Sequence, residues 1–171
     1  VGSQITSVKS LSTLPTALSV LGTAIFTIIA AKIMDKIGRK LGFIFGALVS
    51  SATCLLAVFA ITKQNFILFC FSNFFIGIGM AFTHQYRFAA AESVEKSMSS
   101  KAISIILFGG IISAFLGPSL ANYSKDLVSE NLYVGSYLAL AILTFVPVIL
   151  FLFYSNNTKV DTNLEYSGIG T

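Results

Sequence analysis

The chain has 171 residues, of which 55% are hydrophobic and only 11% charged, with a formal net charge of +4 and a mean hydropathy of +0.85. Soluble domains carry about 25% charged residues, so this composition argues against a globular domain with a water-facing shell. The basic residues are too dispersed to form a nucleic-acid-binding face, and no nucleic-acid partner is expected.

Lipid offers the backbone no hydrogen-bond partners, so apolar runs of about 18 residues or more must cross the bilayer as helices. Five such runs predict an all-α fold, a polytopic transmembrane helix bundle in contact with the lipid bilayer. The first covers residues 16–34 and follows Ser12, Thr13 and Pro15. Hydroxyls followed by proline suit a helix start, because proline lacks a donor the first turn cannot use. Asp35, Lys36, Arg39 and Lys40 end it, since a charge at the bilayer centre costs about 2.5–3.5 kcal/mol. The second run covers 41–62, and Lys63-Gln64-Asn65 form a tight turn before the third, 66–86. A polar stretch from Arg87 to Lys101 leads to the fourth, 102–123, and a second polar stretch to the fifth, 132–154. Residues 155–171 read as a polar tail or linker. Pro147 is expected to kink the last helix.

Cys54 and Cys70 lie inside apolar runs, where cysteine acts as a small hydrophobe. Neither metal-ligand spacing nor a phosphate loop is present, so no metal and no cofactor is expected. The triplets beginning at Asn122 and Asn156 match a glycosylation pattern by chance. The larger basic group, Lys32, Lys36, Arg39, Lys40, Arg87, Lys96, Lys101 and Lys159, falls on one side of the membrane; Lys9, Lys63 and Lys125 fall on the other. The richer side is expected to face the cytoplasm. This orientation sets the C-terminus inside and the N-terminus outside. No cleavable signal pattern accompanies that arrangement, and position 1 is Val. The expectation is that a first helix is missing upstream.

The loop after the first span reads Ala31-Lys32-Ile33-Met34-Asp35-Lys36-Ile37-Gly38-Arg39-Lys40. It resembles the signature between helices two and three of the major facilitator superfamily, commonly G-x-L-x-D-R-x-G-R-[RK]. Asp35, Gly38, Arg39 and Lys40 match in register; Ala31 and Lys36 depart from it. The resemblance covers essentially the whole chain, as helices two to six of an N-terminal half. It implies a secondary transporter of a small solute, gradient-driven, whose first helix and C-terminal half are partners absent from this chain. It also implies that the loop latches the two halves on the cytoplasmic side. Chemically, Gly38 permits a positive φ, Asp35 suits a nearby helix N-terminus, and Arg39 can pair with a carboxylate through two bonds, Glu92 being the natural candidate. Arg87 is expected to join this network.

In the third span Asn73, Gly77, Met80, His84 and Arg87 recur at spacings that share one helical face. Polar groups inside a membrane face a bundle interior or an aqueous path, and the resemblance implies a transport path along this helix. The family often places an arginine four residues before a G-x-G here; this chain has Asn73 before Gly77-Ile78-Gly79, so proton antiport by that route is not implied. Helix–helix glue is the alternative for Asn73, and an interfacial histidine the alternative for His84. In the fourth span Gly109, Ser113 and Gly117, followed by Pro118, permit close helix approach or a gate. This resembles the antiporter motif of helix five, but Ala121 and Asn122 replace its final glycines. Gly38, Gly42 and Gly46 likewise predict close packing of the second span. No span interior holds a carboxylate, so an intramembrane enzyme is not expected. A non-transporting scaffold, an assembly protein or a dimerising half-protein is the competing reading.

Overall fold

The computed structural model describes residues 1–6, 9–128 and 133–153. The expected tail over 155–171, including Asn156 and Lys159, lies outside the described residues, as do Leu132 and Tyr154 at the ends of the last predicted span. The described residues form helices and turns. A single turn, α1 (Gly2–Ile5), and a 3-10 turn at Lys9–Leu11 precede the long elements.

The first long helix, α2, spans Leu14–Ile37. Pro15 sits in its first turn, but Thr13 at the N-cap makes no side-chain cap bond. Proline, not the hydroxyl, therefore marks this start. The helix ends at Gly38, whose N–H donates to the Met34 carbonyl at 2.9 Å. Gly38 has φ +85° and ψ 158°, a region open essentially to glycine, and α3 (Arg39–Thr62) begins at once. The Lys63-Gln64-Asn65 turn puts Gln64 at φ 49°. Asn65 then caps α4 (Phe66–Thr83), its side chain accepting from the Leu68 N–H at 3.0 Å.

Beyond Thr83 the structure differs from the predicted helix end at Tyr86 and the polar stretch after it. The chain turns at His84 and Gln85 and becomes helical again as α5 (Tyr86–Glu92). Ala89, Ala90 and Ala91 explain this, because alanine is the strongest helix former even where hydropathy falls. A 3-10 turn at Lys96–Met98 leads to α6 (Ser99–Ser124), and α7 covers Val134–Phe153. Pro118 and Pro147 lie inside α6 and α7.

Helix α4 lies between α2 and α3, and α3 also packs along α7. Small residues permit these approaches. A Cβ on Gly77 would lie 2.5 Å from the Ser19 carbonyl oxygen and 2.6 Å from the Thr23 nitrogen of α2. Gly22 meets the Phe74 backbone at the same crossing. Of the three glycines expected to pack closely, Gly42 and Gly46 on α3 receive the Met34 and Phe82 side chains, whereas Gly38 has nothing within 4 Å of its Cβ position among the described residues. Two buried clusters result: Ala30, Met34, Phe43, Ala81 and Phe82 toward the basic end, and Ala57, Ala60, Ile61, Phe69 and Val134 toward the other.

Helix α6 behaves differently. It meets α5 and α7, yet Ser124 is its single buried residue. Among the described residues, nothing lies within 4 Å of where a Cβ would stand on Gly109, Gly110 or Gly117. Among the described residues, five helical stretches, Leu14–Ile37, Arg39–Thr62, Phe66–Glu92, Lys96–Ser124 and Val134–Phe153, are long and apolar enough to cross a membrane.

Candidate functional site: a basic-end ion pair and the α4 face

Arg39 opens α3 and Glu92 closes α5, and the structure brings them together. The Arg39 Nη2 donates to Glu92 Oε1 at 2.6 Å, and Nε donates to Oε2 at 3.0 Å. The remaining Nη1 points at the Met34 sulfur, 3.7 Å away. The guanidinium thus spends its planar fork on one carboxylate. Aromatic packing holds α5 where this is possible. Tyr86 at its start lies 4.4 Å from the Phe43 ring, and Phe43 stacks on Phe151 of α7 at 5.4 Å. The pair itself is wet, with side chains 30% and 56% exposed.

The other residues of this end are placed differently from the sequence-based expectation. Arg87 does not join Glu92; its guanidinium carbon sits 4.9 Å from the Phe88 ring centroid. Arg39 already occupies both oxygens of Glu92, and five residues along α5 separate Arg87 from it, a spacing that does not bring side chains together. Asp35 is exposed in the last turn of α2. The N-cap of α3 is Gly38.

Along α4 the predicted face divides. Asn73 is buried, donating through Nδ2 to the Phe69 carbonyl at 2.8 Å and accepting from the Tyr137 hydroxyl at 3.4 Å. Gly77 is consumed by the crossing with α2. Met80, His84 and Arg87 are exposed. Tyr137 is the polar partner that the sequence reading missed. A tyrosine inside an apolar helix signals it, because a buried phenol needs a hydrogen-bond partner.

Between α4 and α6 the fold leaves space at both ends. One cavity of about 410 Å³ is bordered by Ser19, Asn73, Ile76, Gly117, Ser136 and Tyr137. Another of about 350 Å³ lies among His84, Arg87, Ile106, Leu107, Gly110 and Ser113. Gly110, Ser113 and Gly117 of α6 therefore border open space on the side of α4, among the described residues. Ser113 closes its hydroxyl onto the Gly109 carbonyl at 2.9 Å, and Pro118, one residue past Gly117, leaves the Ala114 carbonyl without its usual helical donor.

An all-α, multi-pass membrane protein is the class that this arrangement defines. The chain belongs to the Major Facilitator Superfamily, whose family profile matches residues 3–168. It is similar to the riboflavin transporter RfnT of Brucella anthropi, with 32% identity over 164 residues, covering 95% of this chain and 41% of that protein. It is also similar to two uncharacterized MFS-type transporters of Bacillus subtilis. YdeG is 27% identical over 113 residues (66% of this chain, 26% of that protein). YddS is 25% identical over 114 residues (67% and 26%). The chain thus spans less than half the length of each of these relatives. No solved structure matches it.

Proposed function

We propose that the chain is part of a secondary transporter that carries a small solute across a cell membrane by alternating access, driven by a solute or proton gradient. The observation that carries the reading is the bidentate Arg39–Glu92 pair, set in the loop whose Asp35, Gly38, Arg39 and Lys40 match the family signature. Such a pair joins two helices of this same half at one membrane face; it supports the latch reading by ordering the loop that would meet the second half. The positive-inside bias supports a cytoplasmic location for that face and for the C-terminus. The exposed residues Met80 of α4, His84 of the turn after it and Arg87 of α5 border the path at this end.

The cleft beside Gly110 and Gly117 receives a further helix, and a second half completes the path. Both come from the rest of the full-length protein. Fold does not choose a solute, so the choice rests on the 32% identity to RfnT across nearly all of this chain. It points to riboflavin or a flat heterocycle like it. Proteoliposomes containing the full-length protein test the reading. They should accumulate radiolabelled riboflavin above empty vesicles, and dissipating the ion gradients should abolish the accumulation. No accumulation would sink the flavin assignment, and accumulation indifferent to gradients would sink the secondary mechanism. A membrane scaffold would move no solute at all.

A further inference from the structure

A third cavity lies between the first turns of α2 and α4, and it belongs to neither the ion pair nor the α4–α6 cleft. Its volume is about 370 Å³, and its walls include Leu14 and Leu18 of α2 and Phe66, Cys70, Phe71 and Phe74 of α4. The lining is almost wholly apolar, and ring-bearing residues dominate the α4 side. Phe74 is fixed by edge-to-face contacts with Phe26 at 5.9 Å and Phe75 at 5.5 Å, so this wall is preset. Phe71 is 57% exposed and stands at the rim. The volume lies within the range of about 300–1,000 Å³ usual for small-molecule sites. Three rings around one slot favour a fourth ring, which can stack offset or edge-on, over an aliphatic chain.

We propose that this slot binds the apolar edge of a flat aromatic ring system in the transported solute. The inference rests on the flavin reading above and adds the place where the ring is held. For riboflavin the methylated benzenoid edge enters between Phe71 and Phe74. The polar edge of the ring system stays outside, because the slot offers almost no partner for its donors and acceptors and their burial would be costly.

The test uses the full-length transporter in proteoliposomes. Phe71→Leu keeps apolar volume but removes the ring, and it should raise the KM for riboflavin about fivefold with kcat unchanged. Phe71→Tyr should stay near wild type, and so should Phe59→Leu, which removes an exposed ring of α3 that does not line the slot. Cys70 supplies an independent readout in the unsubstituted protein. Riboflavin should slow its alkylation by N-ethylmaleimide, followed by mass spectrometry of the peptide carrying Cys70. Unchanged KM in Phe71→Leu overturns the slot, as does a Cys70 rate indifferent to riboflavin; both fit a groove filled by lipid. In those cases wild-type riboflavin uptake leaves the substrate reading standing. Wild-type protein that takes up no riboflavin overturns the slot together with that reading.

Discussion

Arg39 holds both carboxylate oxygens of Glu92, at 2.6 and 3.0 Å, and so ties the first turn of α3 to the last turn of α5 across 53 residues of sequence. Both side chains reach water, so the pair should contribute no more than about 1 kcal/mol to folding. Its weight falls instead on the balance between conformations, where about 1 kcal/mol shifts a two-state ratio about fivefold. Glu92→Ala should leave thermal stability nearly unchanged while lowering uptake by about that factor. Arg39→Lys should fall in between, because a point charge cannot reproduce the fork. Paired melting and uptake measurements decide this, and a large melting shift with normal transport would contradict it.

Gly38 separates α2 from α3 at φ +85° and ψ 158°, with open space where a Cβ would stand. Substitution therefore costs backbone strain alone, about 1–3 kcal/mol. Gly38→Ala should destabilise the protein by that amount and shift Arg39 away from Glu92. The loss should be similar for Gly38→Ser, since no neighbour senses side-chain size. A thermal-melt comparison of the two variants checks the expectation; a much greater loss for serine would show a contact absent from the structure.

Gly77 fails for the opposite reason. Its φ is ordinary, but an added Cβ would meet the α2 backbone at Ser19 and Thr23, and backbone cannot rotate away as a side chain can. Gly77→Ala should cost about 1–3 kcal/mol as overpacking. Gly109→Ala, with nothing near its Cβ, supplies the comparison and should fold normally, because alanine is still small enough for helix approach. Yield and melting of detergent-purified protein would report the difference. Equal stability of the two variants would mean that α2 and α4 cross less closely than found here.

Much of this arrangement was legible in the sequence, and the boundary between legible and hidden has a physical cause. Hydropathy locates the five spans, because only helices satisfy the backbone in lipid. It does not reveal α5, because α5 is helical through its alanines rather than through greasiness. Gly38 could be read because its role is local. Arg39 and Glu92 could be paired on paper because few charges were available to each. Gly77 and Asn73 were harder. A shared helical face does not reveal which neighbour that face meets, and α2 and α7 claimed these positions.

That ambiguity is sharpest at Asn73, whose amide donates to the Phe69 carbonyl at 2.8 Å and accepts from the Tyr137 hydroxyl at 3.4 Å. Both partners are intramolecular, which favours helix–helix glue over solute contact. Such bonds within a membrane average about 0.6 kcal/mol, and 3.4 Å is long for an O–H···O bond. Tyr137→Phe should therefore lower stability by about 0.6 kcal/mol or less and leave the KM for the transported solute unchanged. Asn73→Leu should cost more, because it removes a polar node and pushes a branched side chain toward Tyr137. Uptake kinetics and melting of both variants separate glue from path. A KM that rises in Tyr137→Phe while the melting point holds would return Asn73 to the transport path and make the cavity beside it part of the solute's route.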